Sequence, residues 1–205
     1  MSIEFGVAAT HGTAAELLAG LSGPAAILGL GEPVASIDKV RERTGDFGPV
    51  VAGDLDGCGF VIDGDLEFLD PDKIVEASRR LRRLVICISG DAARGAYWLC
   101  IAESGIPTRV HWTSVEDQTE PFDEGWLLQS ETVDPLDDVS GWGLFAAMKS
   151  FGFDYGAWYE RGSKAMVEIV GDDWMTGPIA TRINEFAAEH RPIGWAIRSA
   201  LRPLP

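Results

Sequence analysis

Between residues 50 and 114 the chain strings together apolar runs of strand length, and what separates them is turn chemistry. PVVAG and CGFVI stand on either side of Asp54-Leu55-Asp56-Gly57, and GAYWLCIAE and TRVHWTS on either side of Ser104-Gly105-Ile106-Pro107. Asp-Gly is a strong hairpin signal, because the favoured two-residue turns need backbone conformations that these residues tolerate. Antiparallel pairing is the consequence for this stretch, and a regular βαβ array, which needs a long crossover between successive strands, is not. The expected fold class is α+β: a mostly antiparallel sheet with hairpins and three to five helices packed on it.

The helices carry their own punctuation. Thr13 followed by Glu16 is a capping-box pattern ahead of a helix running to Leu21, stopped by Gly23-Pro24. Val34, Ile37 and Val40 are spaced for one face of a helix from Val34 to Arg43. Asp70 can accept from a first-turn N–H while Pro71 takes the position where a missing N–H costs nothing, so a helix runs to about Arg82. Its end is crowded by Arg79, Arg80, Arg82 and Arg83, which suit the dipole and are read as partners of the protein's own carboxylates. Asp137, Asp138 or Ser140 caps a helix through WGLFAAMKSF, closed by Gly152, and a last helix spans Pro178 to Glu189. IEFGVAA, AAILGL, LVICIS and KAMVEIV supply further strands.

One domain over residues 1–205 is the expected organisation, and the acidic stretch near 114–138 is the one place where it could divide. With 46% apolar residues the 205-residue chain has enough to bury without disulfides or metals. Cys58, Cys87 and Cys100 all sit in apolar runs, and their odd count and wide spacing fit buried thiols in a reducing compartment better than a disulfide framework or zinc site. No run reaches the roughly 20 apolar residues of a membrane span, and the amino terminus carries no secretory pattern, so a cytoplasmic protein without membrane contact is expected. Thirteen Arg against four Lys hint at a GC-rich bacterial genome.

The familiar catalytic patterns are missing. Gly29-Leu30-Gly31 lacks a third glycine, and Glu32-Pro33 places a charge and a missing donor where phosphate-binding N–H groups should point. There is no GxxxxGK[ST], GxSxG, HExxH or CxxC, and no cofactor is expected. Asp54, Asp56, Asp63, Asp65, Glu67, Asp70 and Asp72 are wrongly spaced for a calcium loop and read as solvated turn and cap residues, not a metal site.

Two readings of function remain. The net charge of −15 repels nucleic acid and favours a basic protein partner. Nine of the carboxylates fall between Val115 and Asp138 with no Lys or Arg among them, and only GWLLQ in that stretch looks fit for burial. The first reading is therefore a non-catalytic acidic binding module, in one form a bacterial immunity or antitoxin-like protein, docking through Glu116, Asp117, Glu120, Asp123, Glu124 and Trp126. The second is a small enzyme or ligand-binding domain. Alternation in TRVHWTS puts Arg109, His111 and Thr113 on one face and Val110 and Trp112 on the other, and the neighbouring strand could bring Glu103 or Tyr97 alongside. Arg109, His111 and Glu103 would then form an acid–base site on a polar, solvent-facing sheet side. Six of the seven tryptophans lie past residue 111, and as a group they are read mainly as core.

Overall fold

The computed structural model describes residues 6–22, 27–33, 50–63, 69–91, 95–114, 121–132, 136, 142–169 and 178–189. The chain opens with β1 (Gly6–His11) and α1 (Ala14–Ser22), followed by β2 (Ile27–Pro33), β3 (Val50–Leu55) and β4 (Cys58–Asp63). Next come α2 (Pro71–Leu81), β5 (Leu84–Asp91), β6 (Ala96–Glu103), β7 (Ile106–Ser114) and β8 (Phe122–Gly125). A 3₁₀ turn (Gln129–Thr132), α3 (Trp142–Ser150), α4 (Tyr155–Arg161), β9 (Ala165–Ile169) and α5 (Pro178–Glu189) complete the described elements. The helix expected over Val34 to Arg43 lies outside the described residues.

Local signals set the turns and helix starts. Asp56 (φ 52°) and Gly57 (φ 78°) join β3 to β4, and Ser104 (φ 52°) and Gly105 (φ 87°) join β6 to β7. Both central residues of each turn are left-handed, which matches the twist of the flanking strands. Thr13 and Glu16 close their reciprocal cap, Glu16 N–H donating to Thr13 Oγ1 at 3.1 Å and Thr13 N–H to the Glu16 carboxylate at 2.9 Å. Asp70 accepts from Lys73 N–H at 2.9 Å, and Pro71 begins the helix. The arginines at the far end of α2 meet internal carboxylates: Arg79 and Arg80 pair with Glu76, and Arg83 with Glu16.

The nine strands among the described residues join one sheet in the order β2-β9-β3-β4-β1-β5-β6-β7-β8, and each pairing is antiparallel. The α+β expectation holds in that form, with five helices among the described residues. They cover both faces. Ala8, Val61, Val85, Cys87 and Cys100 pack with Leu17, Leu18, Ile74, Ala77 and Ile183 of α1, α2 and α5. Val7, Phe60, Ile86, Ile88 and Leu99, their alternation partners, pack with Leu144, Met148, Phe153 and Trp158 on the α3–α4 side. Coverage on two sides explains why CGFVI and LVICI are continuous apolar runs and not alternating ones. None of the helices among the described residues is long and apolar enough to cross a membrane.

Gly53 marks a close crossing. A Cβ there would overlap the Ser163 carbonyl, because the segment leaving α4 lies directly over β3 before entering β9 beside it. Ser163 N–H donates to Asp54 O at 3.0 Å, and Asp54 N–H donates to Ser163 Oγ at 2.9 Å, sealing the contact.

Of the acidic series, Asp54, Asp63, Asp70 and Asp72 act as caps and turn braces, Asp65 and Glu67 lie outside the described residues, and one correction applies. Asp54 accepts from Ala14 N–H at 2.6 Å, Asp63 from Leu69 N–H at 2.8 Å, and Asp72 from Ile179 N–H at 2.9 Å. Asp63 and Asp70 are buried, not solvated. Burial pushes the Asp70 carboxyl above its usual range, while Lys73 and the helix N–H pull against it.

Candidate functional site

The sheet ends at β7 and β8, and both sequence readings converge there. In register, Arg109 faces Ile101 and Gly125, and His111 faces Leu99 and Asp123. Leu99 and Ile101 belong to the α3–α4 face, so Arg109 and His111 point into the covered side. Both are buried, as is Thr113. The polar face expected to meet solvent is therefore enclosed. The reason lies beyond β8, where the chain folds back and its 3₁₀ turn brings a carboxylate over the arginine.

That carboxylate belongs to Glu131. Arg109 Nε and Nη2 donate to its two oxygens at 2.9 and 2.7 Å, a bidentate fork, and Nη2 also lies 2.7 Å from Asp123 Oδ1. Glu131 additionally accepts from Leu128 N–H at 3.0 Å. His111 Nδ1 lies 2.8 Å from the same Asp123 oxygen. An ionised carboxylate only accepts, so Nδ1 carries the proton and donates. His111 Nε2 is buried without a hydrogen-bond partner, and so is Ser130 Oγ. Glu103, the expected carboxylate, is instead exposed at the end of β6 opposite Ile106, while Asp123 and Glu131 face the cationic groups. Tyr97 does share the face, opposite Thr113.

Burial alone would push the Asp123 carboxyl up, but the hydrogen bond from His111 and the charges of His111 and Arg109 outweigh it and hold the group below its ordinary value of 3.8. A depressed folded pKa contributes stability that is complete above pH 3.8 and drains as pH falls through the lower folded value. Asp123→Asn is therefore expected to flatten the loss of stability below pH ~4, measured as urea midpoints against pH. An unchanged acid slope in that variant removes Asp123 from the network.

The acidic stretch is thus partly turned inward. Besides Asp123 and Glu131, Glu124 is engaged by Arg182 of α5, whose Nη2 approaches to 2.6 Å. Glu116, Asp117 and Glu120 lie outside the described residues. Trp126 does the opposite of what its apolar neighbourhood suggested: it is 85% exposed and Leu127 is 77% exposed. The third large exposed hydrophobic among the described residues, Ile106 at 66%, belongs to the same corner. Trp126 N–H donates to Thr108 O at 3.1 Å, two residues along β7 from Ile106. Sequence reasoning missed Ile106 and Leu127; the available signal was their position beside a turn and just past a strand end.

A second cluster sits on the central strands β1 and β4. Cys58 Sγ lies 3.6 Å from His11 Nδ1, beside a cavity of about 170 Å³ also lined by Asp56, Asp154 and Arg161. Burial and the neighbouring Asp56 push the thiol up, so it stays protonated, the wrong state for a nucleophile. Cys87 and Cys100 are also free and buried, and burial drives their pKa up, that of Cys87 well up. Among the described residues no three His, Cys, Asp or Glu side chains are grouped to hold a metal ion.

Set against family models, curated proteins and solved structures, the chain matches none of them.

Proposed function

We propose that the protein is a non-catalytic binding module that docks a basic protein partner at the corner formed by Ile106, Trp126 and Leu127. The observation that carries this reading is the gathering at one end of β7 and β8 of all three large exposed hydrophobics among the described residues. Scattered apolar residues need no explanation, but exposed apolar side chains gathered near one strand end with an aromatic anchor are the usual makeup of an interface. Among the described residues Asp123, Glu124 and Glu131 stand there against Arg109 and Arg182, and in sequence the 115–138 segment holds nine carboxylates and no Lys or Arg, which favours a basic partner. An immunity or antitoxin-like protein covering the positive face of a nuclease-type toxin is one concrete form.

Capture from source-cell extract on immobilised protein at low and high salt tests the reading. A basic partner should be retained at low salt, released as screening shortens the reach of the carboxylates, and bound at least about tenfold more weakly by Trp126→Ala, the scale of a hot-spot truncation. Equal retention by the variant, or no basic partner at low salt, would sink it.

A small enzyme centred on His111 is the second reading, and the Asp123–His111 hydrogen bond at 2.8 Å favours it, because that arrangement leaves Nε2 free to act as a base. It ranks below the first because Nε2 is sealed from solvent, and a general base must reach its substrate's proton.

A further inference from the structure

We infer that the cavity between the β3–β4 turn and α4 is a binding site for a small zwitterion, an α-amino acid with an aliphatic side chain. It lies well away from the docking corner, with three strands between β4 and β7, and stands independently of that reading. Its volume is about 170 Å³. A cavity of roughly 150 Å³ accepts benzene, so this one has room for a side chain of about four to six carbons.

The lining is sorted by depth. Phe60 and Cys58 are buried and form the floor, Leu55 and Ala157 are half-buried on the walls, and Asp56 and Arg161 are exposed at the mouth. Because the Cys58 thiol stays protonated, the floor is uncharged. An apolar side chain is therefore favoured below, and charged groups are favoured above, where a few polar residues fix the orientation of what enters.

The charges at the mouth are of both signs and come from different elements. Arg161 belongs to the last turn of α4, and Asp56 to the turn joining β3 to β4. Among the described residues no ion pair joins them to each other or to a third group. Asp154, also on the lining, is already engaged, accepting from Ala157 N–H at 3.0 Å and lying 3.8 Å from Lys149 Nζ. A lone anion would meet the Asp56 carboxylate, and a lone cation would meet the Arg161 guanidinium. A molecule carrying both charges answers both: its carboxylate suits the guanidinium fork and its ammonium donates to Asp56.

Both walls are tied down before anything binds. Gly12 N–H donates to Gly57 O at 2.8 Å, which fixes the β3–β4 turn against the end of β1. The His11 ring lies 4.7 Å from that of Phe153, which holds the segment leading into α4. The ordering cost of binding consequently falls on a small ligand with few rotatable bonds.

The test uses the full chain with L-leucine as probe, followed by calorimetry and ligand-observed NMR. Two analogues keep the side chain and lose one charge: isocaproate lacks the ammonium and isoamylamine lacks the carboxylate. The expected result is saturable leucine binding with a Kd of about 1 mM or tighter, and binding at least about tenfold weaker for each analogue. Arg161→Gln and Asp56→Asn, the second keeping a residue that tolerates the left-handed turn, are each expected to weaken leucine about tenfold. Ala157→Leu, which fills the cavity with a good helix former, is expected to abolish binding. Melts of each variant separate lost binding from lost fold, and the exposed Arg161→Gln decides the matter if Ala157→Leu does not fold. No leucine binding at about 10 mM overturns the inference. So does an analogue that binds as tightly as leucine, which would make this a site for one charge only, and so does leucine binding that is unchanged in the folded variants.

Discussion

Arg109→Leu is expected to cost about 3–5 kcal/mol and to lower the melting temperature by roughly 10 °C, the largest effect of any single change at the β7–β8 end of the sheet. The guanidinium is almost wholly buried, and so is the Glu131 carboxylate it grips. Removing the cation leaves that carboxylate enclosed with, among the described residues, only the Leu128 N–H to satisfy it. An uncompensated buried charge costs far more than the intact pair contributes. The companion measurement is the double variant Arg109→Leu with Glu131→Leu, which removes both charges and is expected to regain at least about half of the loss. Thermal and urea melts of the three proteins decide it. A single-variant loss below about 1 kcal/mol would mean that the pair behaves as a solvated surface bridge.

Trp158→Ala is expected to be comparably damaging, at about 3–5 kcal/mol, by a different mechanism. Trp158 is fully buried beneath α4 and stacks on Phe60 of β4 with ring centroids 5.1 Å apart. Tyr155 lies 6.0 Å away, and the Lys164 ammonium sits 5.4 Å over the indole ring. Truncation forfeits the transfer energy of a large aromatic and leaves a hole between helix and sheet that neither rigid neighbour can close. It also removes the face on which Lys164 rests, a group whose pKa burial already lowers and whose Nζ donates to Gly162 O at 2.8 Å. Trp158→Phe keeps the stacking on Phe60 and is expected to lose only about 1–2 kcal/mol. Equal urea midpoints for the two variants would rule out packing as the reason for this tryptophan.

How much of this was legible in the chain depends on whether the deciding contact was local. Asp70-Pro71, Thr13 with Glu16, Asp56-Gly57 and Ser104-Gly105 act within four residues, and each sits where its chemistry says it should. β8 was not legible. Phe122-Asp123-Glu124-Gly125 has one apolar residue and a glycine, and it forms a strand because β7 lies ready to pair with it. α4 was hidden as well, since YGAWYER reads as an aromatic cluster before it reads as a helix.

The site shows the same division. Period-two alternation correctly separated Arg109, His111 and Thr113 from Val110 and Trp112, but alternation says only that two faces differ. Whether the polar one is wet depends on what folds over it, here Glu131, 22 residues away from Arg109 in sequence. Carboxylates counted as outward charge, Asp123 and Glu124, proved to be engaged by the protein's own cations, while GWLLQ, the run judged fittest for burial, holds the two most exposed large hydrophobics among the described residues. Hydrophobicity predicts burial only where a surface exists to be covered, and at Trp126 and Leu127 the described chain supplies none.

The position of β9 has a bearing on how the protein is made. Its residues, Ala165–Ile169, lie between β2 and β3 and join them to each other. Until the ribosome has delivered that segment, β3 shows an open margin and β2 has nothing in the sheet to hold it, even though β1, β3, β4 and β5, all made earlier, can already pair with one another. The nascent chain thus waits on its own late-synthesised portion to close a gap opened near its beginning, and a product cut short before Ala165 would leave the tunnel with an adhesive seam that the finished molecule never displays.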